Sequence, residues 1–256
     1  MWFFTKKLFI PIFVLFMCLK IGIVHGLDYL SAQEIKELYS KYVAVNYTDE
    51  YKYRYSRIPL EKNNKSWRWE GKDVPRVIAI LEFDRYVQQA KLSSKKAIAF
   101  NGIDPEWIYL PHSEIYECNY ESDPIKNDLQ RLNLDEKDFD FAMLNQTLEH
   151  VYNPIQCLKN VYDHLISGGI LYLNVPANNI PHSTPFHFYT GYTPVGLAAV
   201  VKLAGFKILS MGQWGNRAYL DFINRTHSWP DYREIKGNGT NEFDNPAITW
   251  VFAVKP

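Results

Sequence analysis

Phe139-Asp140-Phe141-Ala142-Met143-Leu144-Asn145-Gln146-Thr147-Leu148-Glu149-His150-Val151 is the stretch whose reading decides how this chain folds. Phe139 to Leu144 is apolar except at Asp140, the continuous composition of a strand buried on both faces, as parallel sheets require. Just beyond, Asn153 offers a side-chain acceptor to a helix N-terminus, and Pro154 suits the first helical position. Ile155, Leu158, Val161, Tyr162 and Leu165 recur at helical spacing and give that helix one apolar face. Ser167-Gly168-Gly169 stops it, and Ile170 to Val175 reads as the next buried strand.

The same alternation extends in both directions. Upstream, Pro75 opens a helix carrying Val77, Ile78, Leu81, Tyr86 and Val87 on one side. Ala97 to Phe100 and Ile115 to Cys118 are short apolar strands, and Pro124-Ile125 leads towards Asp128. Downstream, Thr193-Pro194 begins a helix ending at Gly205, Lys207 to Met211 follows as a strand, and Ala247 to Val254 closes the sheet. Strand and helix in alternation predict an α/β fold, a parallel sheet with helices on both faces. Nearer the start, Ser31 and Glu34 have capping-box spacing ahead of Ile35, Leu38 and Tyr42. Tyr47 to Lys72 has no regular period; its Trp67 and Trp69 either line a ligand surface or pack an extension onto the main domain. The expected organisation is a leader over 1–26, an N-terminal extension over 27–75 and one domain over 76–256. The insert from Gly212 to Pro246, with Trp214 and Trp229, either shapes a substrate pocket or covers a sheet edge.

Phe139 to Val151 resembles the Phe-Asp…Leu-Glu-His segment of class I S-adenosylmethionine-dependent methyltransferases of the type 11 kind. Leu165-Ile166-Ser167-Gly168-Gly169-Ile170-Leu171 is similar to their Leu-x-x-Gly-Gly turn. Asn174-Val175-Pro176, Phe188-Tyr189-Thr190 and Ala204-Gly205-Phe206 continue the likeness in order, which spans Ala97 to Met211 and the last strand. The resemblance implies a Rossmann-like sheet with S-adenosyl-L-methionine bound across the carboxyl ends of its strands. Carried over residue by residue, Asn101 and Gly102 form the loop after the first strand. Glu117, or in its place Asn119, would take the ribose hydroxyls. Asp128 would take the adenine amino group with Leu129 covering the ring, and Asn145 and Gln146 would face the methionine end. For Asp128 the competing reading is a solvated loop carboxylate. The family's loop carries Gly-x-Gly-x-Gly so that backbone can approach the ligand, whereas Asn101-Gly102-Ile103-Asp104-Pro105 keeps only Gly102.

Methyl transfer from a sulfonium needs chiefly an acceptor held in line, and a hydroxyl acceptor also gains from a general base. His150, His182 and His187, each near a strand end, are the catalytic candidates; His150 has a scaffold role as its competing reading. Their spacing matches no metal-ligand pattern, so no metal is expected. Two functions of different class follow: a methyltransferase acting on a small molecule, sugar or lipid headgroup, or a fold that has lost catalysis and binds ligands. A Rossmann dehydrogenase is excluded, because Gly-x-Gly-x-x-Gly follows no strand.

Composition bounds the partners. Of 256 residues 47% are hydrophobic and 16% aromatic, enough for a substantial core. The 28 basic and 28 acidic residues balance. Lys6, Lys7 and Lys20 lie in the first 26 residues with no acid, leaving a net charge of −3 beyond. No basic face is evident, so nucleic acid is not an expected partner. Lys6-Lys7, an apolar run from Leu8 to Leu19, and Val24 and Gly26 as small residues have the layout of a cleaved secretory signal. An uncleaved signal-anchor, and with it a membrane attachment, is the alternative. Asn46, Asn64, Asn145, Asn224 and Asn238 each begin a glycosylation sequon, which agrees with a lumenal or secreted protein and a small-molecule or glycan substrate. Beyond Cys18 only Cys118 and Cys157 remain, too few for a disulfide framework, with a single bridge between them the minor reading.

Overall fold

A computed structural model describes residues 29–44, 73–100, 102, 104–236 and 238–256. Six strands form one sheet: β1 (Lys96–Phe100), β2 (Glu114–Cys118), β3 (Phe139–Asn145), β4 (Leu165–Pro176), β5 (Lys207–Trp214) and β6 (Ile248–Val254), in the order β2-β1-β3-β4-β6-β5. The helices are α1 (Ala32–Leu38), α2 (Val74–Ala90), α3 (Pro154–His164), α4 (Pro194–Leu203) and α5 (Arg217–Thr226). This is an α/β sheet with helices on both faces, as the alternation of strand and helix in the sequence predicts.

Period-two alternation along the buried strands divides the core into two layers. Ala97, Ala99, Phe141, Met143, Tyr172 and Phe252 face α2 and α5 through Ile78, Phe83, Tyr219 and Ile223. Ile98, Phe100, Ala142, Leu144, Leu173 and Val251 face the opposite side, where Leu38, Leu158, Val161, Leu197 and Val201 of α1, α3 and α4 cover them. The capping box at Ser31 is formed, with Glu34 N donating to Ser31 Oγ and Ser31 N to Glu34 Oε2. Leu38 and Val43 enter the same core as Phe206, so the segment over 29–44 is packed into the domain. Asp140, the one acid in the apolar run, anchors the start of β1 by accepting from Ser94 Oγ at 2.5 Å and Lys95 N at 2.8 Å.

Three features differ from the sequence expectation. β6 runs antiparallel to both β4 and β5, so the sheet is mixed. The cause is local: β5 ends and β6 begins at the same edge, with Trp214 paired to Ile248 and Ala247 N donating to Trp214 O at 2.9 Å. Secondly, α3 stops at His164, and Gly168-Gly169 lie in an irregularity of β4, where the pairing jumps from Phe139–Leu165 to Phe141–Ile170. Gly168 adopts φ 82°, a left-handed conformation that suits glycine. Thirdly, the insert from 212 to 246 contains α5, capped by Asn216 through Tyr219 N at 2.8 Å. Trp214 is fully buried in β5 and belongs to the core. Cys118 and Cys157 are buried free thiols, each pushed up to about 12 by burial, so no bridge forms. Trp67 and Trp69 lie outside the described residues.

Phe83 is the hinge of the aromatic layer, with its ring 4.7 Å from Tyr172 and 5.8 Å from Phe252. Phe83→Ala is expected to cost about 3–5 kcal/mol in urea denaturation, the range for truncating a fully buried aromatic ring. A second fixing point is the ion pair of Arg76, in the first turn of α2, with Glu106, in the 3-10 turn Pro105–Tyr109 after β1. Glu106 is wholly buried. Glu106→Leu leaves a guanidinium without its main partner and should cost about 3–5 kcal/mol; the double variant Arg76→Met/Glu106→Leu should lose distinctly less. A loss in the double variant equal to the sum of the losses of Arg76→Met and Glu106→Leu would show that the pair is not coupled.

Candidate active site

The carboxyl ends of β1, β2, β3 and β4 lie side by side in the parallel part of the sheet. After β1 the chain turns through Gly102 at φ 109°. A Cβ placed on Gly102 would sit 3.9 Å from Glu117 Oε1, so the Glu117 carboxylate reaches across from β2 to this turn. Glu117 is exposed and has no hydrogen-bond partner among the described residues. Asn119 is differently employed. Its Oδ1 accepts from Glu121 N at 2.9 Å and its carbonyl accepts from Asn127 Nδ2 at 2.8 Å, so it builds the turn that follows β2. Of the two ribose-site candidates, Glu117 is the one whose side chain is available. Asn101 and Ile103 lie outside the described residues.

Asp128 is partly buried and caps the short turn Leu129–Arg131, accepting from Gln130 N at 3.0 Å through one carboxylate oxygen. Leu129 is buried in the core, and its carbonyl accepts from Asn160 Nδ2 of α3 at 2.9 Å. Gln130 Oε1 accepts from Tyr152 N and Asn153 N, both at 3.1 Å, which docks this turn on the segment leading into α3. The Asp128 carboxylate therefore has a structural bond and one remaining oxygen.

At the centre of the edge lies a polar network. Arg76 pairs with Glu106 and reaches Asp104 at 3.3 Å. Asp104 Oδ2 accepts from Asn145 Nδ2 at 2.8 Å, Asn145 Oδ1 accepts from Asn174 Nδ2, and Asn174 Oδ1 accepts from Gln146 Nε2 at 2.8 Å. Burial drives the Glu106 carboxyl upward against the pull of Arg76, while Glu106 and Asp104 together hold Arg76 firmly charged despite its burial. Arg76, Asp104, Glu106 and Asn174 were not singled out by the sequence as site residues. Asp104 and Asn174 could have been, since Asp104 lies in the loop after β1 and Asn174 near the carboxyl end of β4. Asn145 is buried with both amide atoms engaged, which closes its sequon in the folded protein. Gln146 takes φ 48°, bending the chain away from β3.

The loops after β3 and β4 are laced together. Glu149 O accepts from Phe188 N at 3.0 Å and Tyr189 N at 3.2 Å, and Tyr192 Oη donates to Leu148 O at 3.1 Å. This lacing brings His150, His182 and His187 into one cluster. The ring centroids are 4.8 Å apart for His150–His182, 5.6 Å for His150–His187 and 4.5 Å for His182–His187. Burial, with repulsion from the neighbouring imidazoles, lowers the pKa of His150 and of His187, so both are neutral near pH 7. Beneath them Glu149 is wholly buried, and neither carboxylate oxygen has a hydrogen-bond partner; burial pushes its carboxyl up to about 8. Sequence reading passed over Glu149, whose exceptional burial only the fold makes visible. Tyr152, Phe186, Phe188 and Trp229 are exposed around the cluster, and Trp229 meets His182 edge-on at 5.5 Å. The edge thus has a carboxylate side at Glu117 and Gly102, and an imidazole-lined side with an aromatic rim.

A family described as "Methyltransferase domain" matches residues 93–173, which contain β1, β2, β3, α3 and the greater part of β4. No curated protein gives a significant sequence match. Among solved structures the chain is similar to a SAM-dependent methyltransferase from Archaeoglobus fulgidus, at 16% identity and TM-score 0.44, covering 70% of this chain and 94% of that one. It is also similar to the N-methyltransferase NodS from Bradyrhizobium japonicum in complex with S-adenosyl-L-homocysteine, at 10% identity and TM-score 0.46, covering 76% and 93%. A third is phosphoethanolamine N-methyltransferase 2 from Haemonchus contortus in complex with S-adenosyl-L-methionine, at 11% identity and TM-score 0.45, covering 89% of this chain and 60% of that one. Residues 93–173, which carry the Phe-Asp…Leu-Glu-His segment at β3, thus match the methyltransferase-domain family.

Proposed function

We propose that this protein is an S-adenosylmethionine-dependent methyltransferase acting on a small molecule, with its acceptor site under the aromatic rim of the histidine cluster. The observation that carries the reading is the placement of Glu117. It is a solvent-facing carboxylate without a partner, at the carboxyl end of β2 and beside the left-handed Gly102. A side chain so placed fits a vicinal diol, accepting two hydroxyl donors without losing any bond of its own. Asp128 and Leu129 would hold the adenine end, and the β3 end at Asn145 and Gln146 the methionine end. The group they hold supplies a methyl already activated on a sulfonium. The chain's own contribution is then to position the acceptor, to keep water out and to take up a proton. His150 and His187 are neutral and suited to receive that proton from a hydroxyl or ammonium acceptor.

The exposed Tyr152, Phe186, Phe188 and Trp229 suit an acceptor with an apolar face, such as a sugar ring or a lipid headgroup. Glycan O-methylation in the secretory pathway is the finer form of the proposal. It is supported by the signal-like leader and by sequons such as that at Asn224, which is exposed on α5. Among the described residues no helix is long and apolar enough to cross a membrane, and the leader lies outside them. A second reading, a ligand-binding protein on the same fold without catalysis, is favoured by one observation. The Arg76–Asp104–Asn145 network fills the place where the family has glycines.

Calorimetric titration with S-adenosylmethionine and S-adenosylhomocysteine separates the two. The enzyme reading expects binding of both, weakened about tenfold or more by Glu117→Ala, equivalent to the loss of about 1.4 kcal/mol of charge-assisted hydrogen bonding. No binding at millimolar ligand would overturn it.

A further inference from the structure

We propose that His150, His182 and His187 form a binding site for one divalent transition-metal ion of the zinc class, with a fourth coordination position open towards the aromatic rim. The spacing of these residues in sequence carries no metal signature, because two of them come from the loop after β4 and one from the loop after β3. In space one nitrogen from each can be chosen so that all three lie within 4.8 Å of one another. A tetrahedral site with metal–nitrogen bonds of about 2.0–2.1 Å needs nitrogens about 3.4 Å apart.

The hydrogen bonding prepares the rings for this role. His150 Nδ1 lies 2.7 Å from Phe186 O, and His182 Nδ1 lies 3.0 Å from Ile180 O. A backbone carbonyl only accepts, so each Nδ1 carries the proton and each Nε2 keeps its lone pair. A carbonyl holding the far nitrogen is also the usual support of a metal-ligating imidazole. His187 has both ring nitrogens buried with no hydrogen-bond partner, a costly state that a ligand bond would relieve. The Glu149 carboxyl is wholly buried and unpartnered as well, and its Oε1 is 3.8 Å from His150 Nε2. A buried polar side chain left without a partner beside three imidazoles is accounted for if a cation occupies the space above it.

Three neutral nitrogen donors select a borderline ion such as Zn2+ over Mg2+ or Ca2+, which take oxygen ligands. With three protein ligands the fourth position stays open to an oxygen donor. If the methyltransferase reading holds, that donor is the hydroxyl of the acceptor, oriented and acidified by the ion; in the metal-bound protein the imidazoles serve as ligands, and the hydroxyl proton passes to solvent rather than to His150 or His187. The metal site itself does not depend on that reading.

The full-length purified protein, stripped with a chelator, would be titrated with Zn2+ against a chromophoric competitor and, separately, with Co2+ by visible absorption. One equivalent of each is expected, with the intense bands of four-coordinate Co2+. His182→Ala and His187→Ala should each weaken Zn2+ binding about tenfold or more. His112→Ala, at an exposed position outside the cluster, should leave it unchanged. Should either cluster variant fail to fold, the wild-type Co2+ spectrum and the rise in melting temperature on adding Zn2+ decide the matter alone. Absence of a stoichiometric site, or equal affinity in His182→Ala, His187→Ala and wild type, would overturn the proposal. Titration of the stripped protein with S-adenosylhomocysteine tests the donor site independently, so failure of one reading is not mistaken for failure of the other.

Discussion

Arg76 and Glu106 join the first turn of α2 to the turn after β1, and the ligand edge takes its shape from that pair. Glu106 is buried completely, so its charge is tolerable only because a guanidinium meets both oxygens. Arg76 in turn reaches Asp104, and Asp104 reaches Asn145 at the end of β3. The chain of bonds ends at Asn174 and Gln146, in the ends of β4 and β3. Networks of this kind are worth having only when every member is satisfied, since each unpaired atom in a low-dielectric interior is costly. Here α2, β1, β3 and β4 are locked in one arrangement at the edge where a ligand would sit. The turn after β1 is thus held by charge.

The parts of the fold that were legible in sequence are those whose signals are local. Asn153-Pro154, Ser31 with Glu34, and Thr193-Pro194 are caps that act within one turn of helix, and all three caps form as read. The apolar runs of β3 and β6 are buried on both faces, so composition alone marks them as strands. What was not legible depends on pairings between distant segments. The direction of β6 is fixed by where β5 ends, which no residue of β6 records. The Gly168-Gly169 pair reads equally as a helix stop or as an irregularity in a strand, and the pairing of β3 with β4 decides it. α5 escaped notice because its strongest core contacts, Tyr219 and Ile223, lie among polar and charged neighbours.

The same distinction holds at the site. Glu117 could be named as a candidate because its place follows from the end of a strand. What the sequence could not show is that Asn119, the alternative, is bound up in its own turn while Glu117 faces solvent. His150, His182 and His187 were each legible as strand-end residues. Their convergence was not, because it is produced by backbone bonds from Glu149 O to Phe188 N and Tyr189 N, to which any residue type could contribute. Glu149 was visible only as part of the Leu-Glu-His segment; its complete burial follows from the packing around Leu148 and is not written in the sequence.

These two assemblies are built by different physics, and this bears on what the departure from the glycine motif means. The imidazole side is held by backbone bonds and exists whenever β3 and β4 are paired, so it would survive loss of donor binding. The Glu117 side depends on a side chain that folding does not require: Glu117 is exposed and has no hydrogen-bond partner among the described residues. A fold retained merely as a scaffold has no physical need of a carboxylate held next to a left-handed glycine at a strand end. It has equally little need of three imidazoles over a buried acid. Stability explains the Arg76–Glu106 pair and the Asn145–Asn174 bond, but it explains neither Glu117 nor the histidine cluster, and those residual features are where the chemistry of this chain is to be sought.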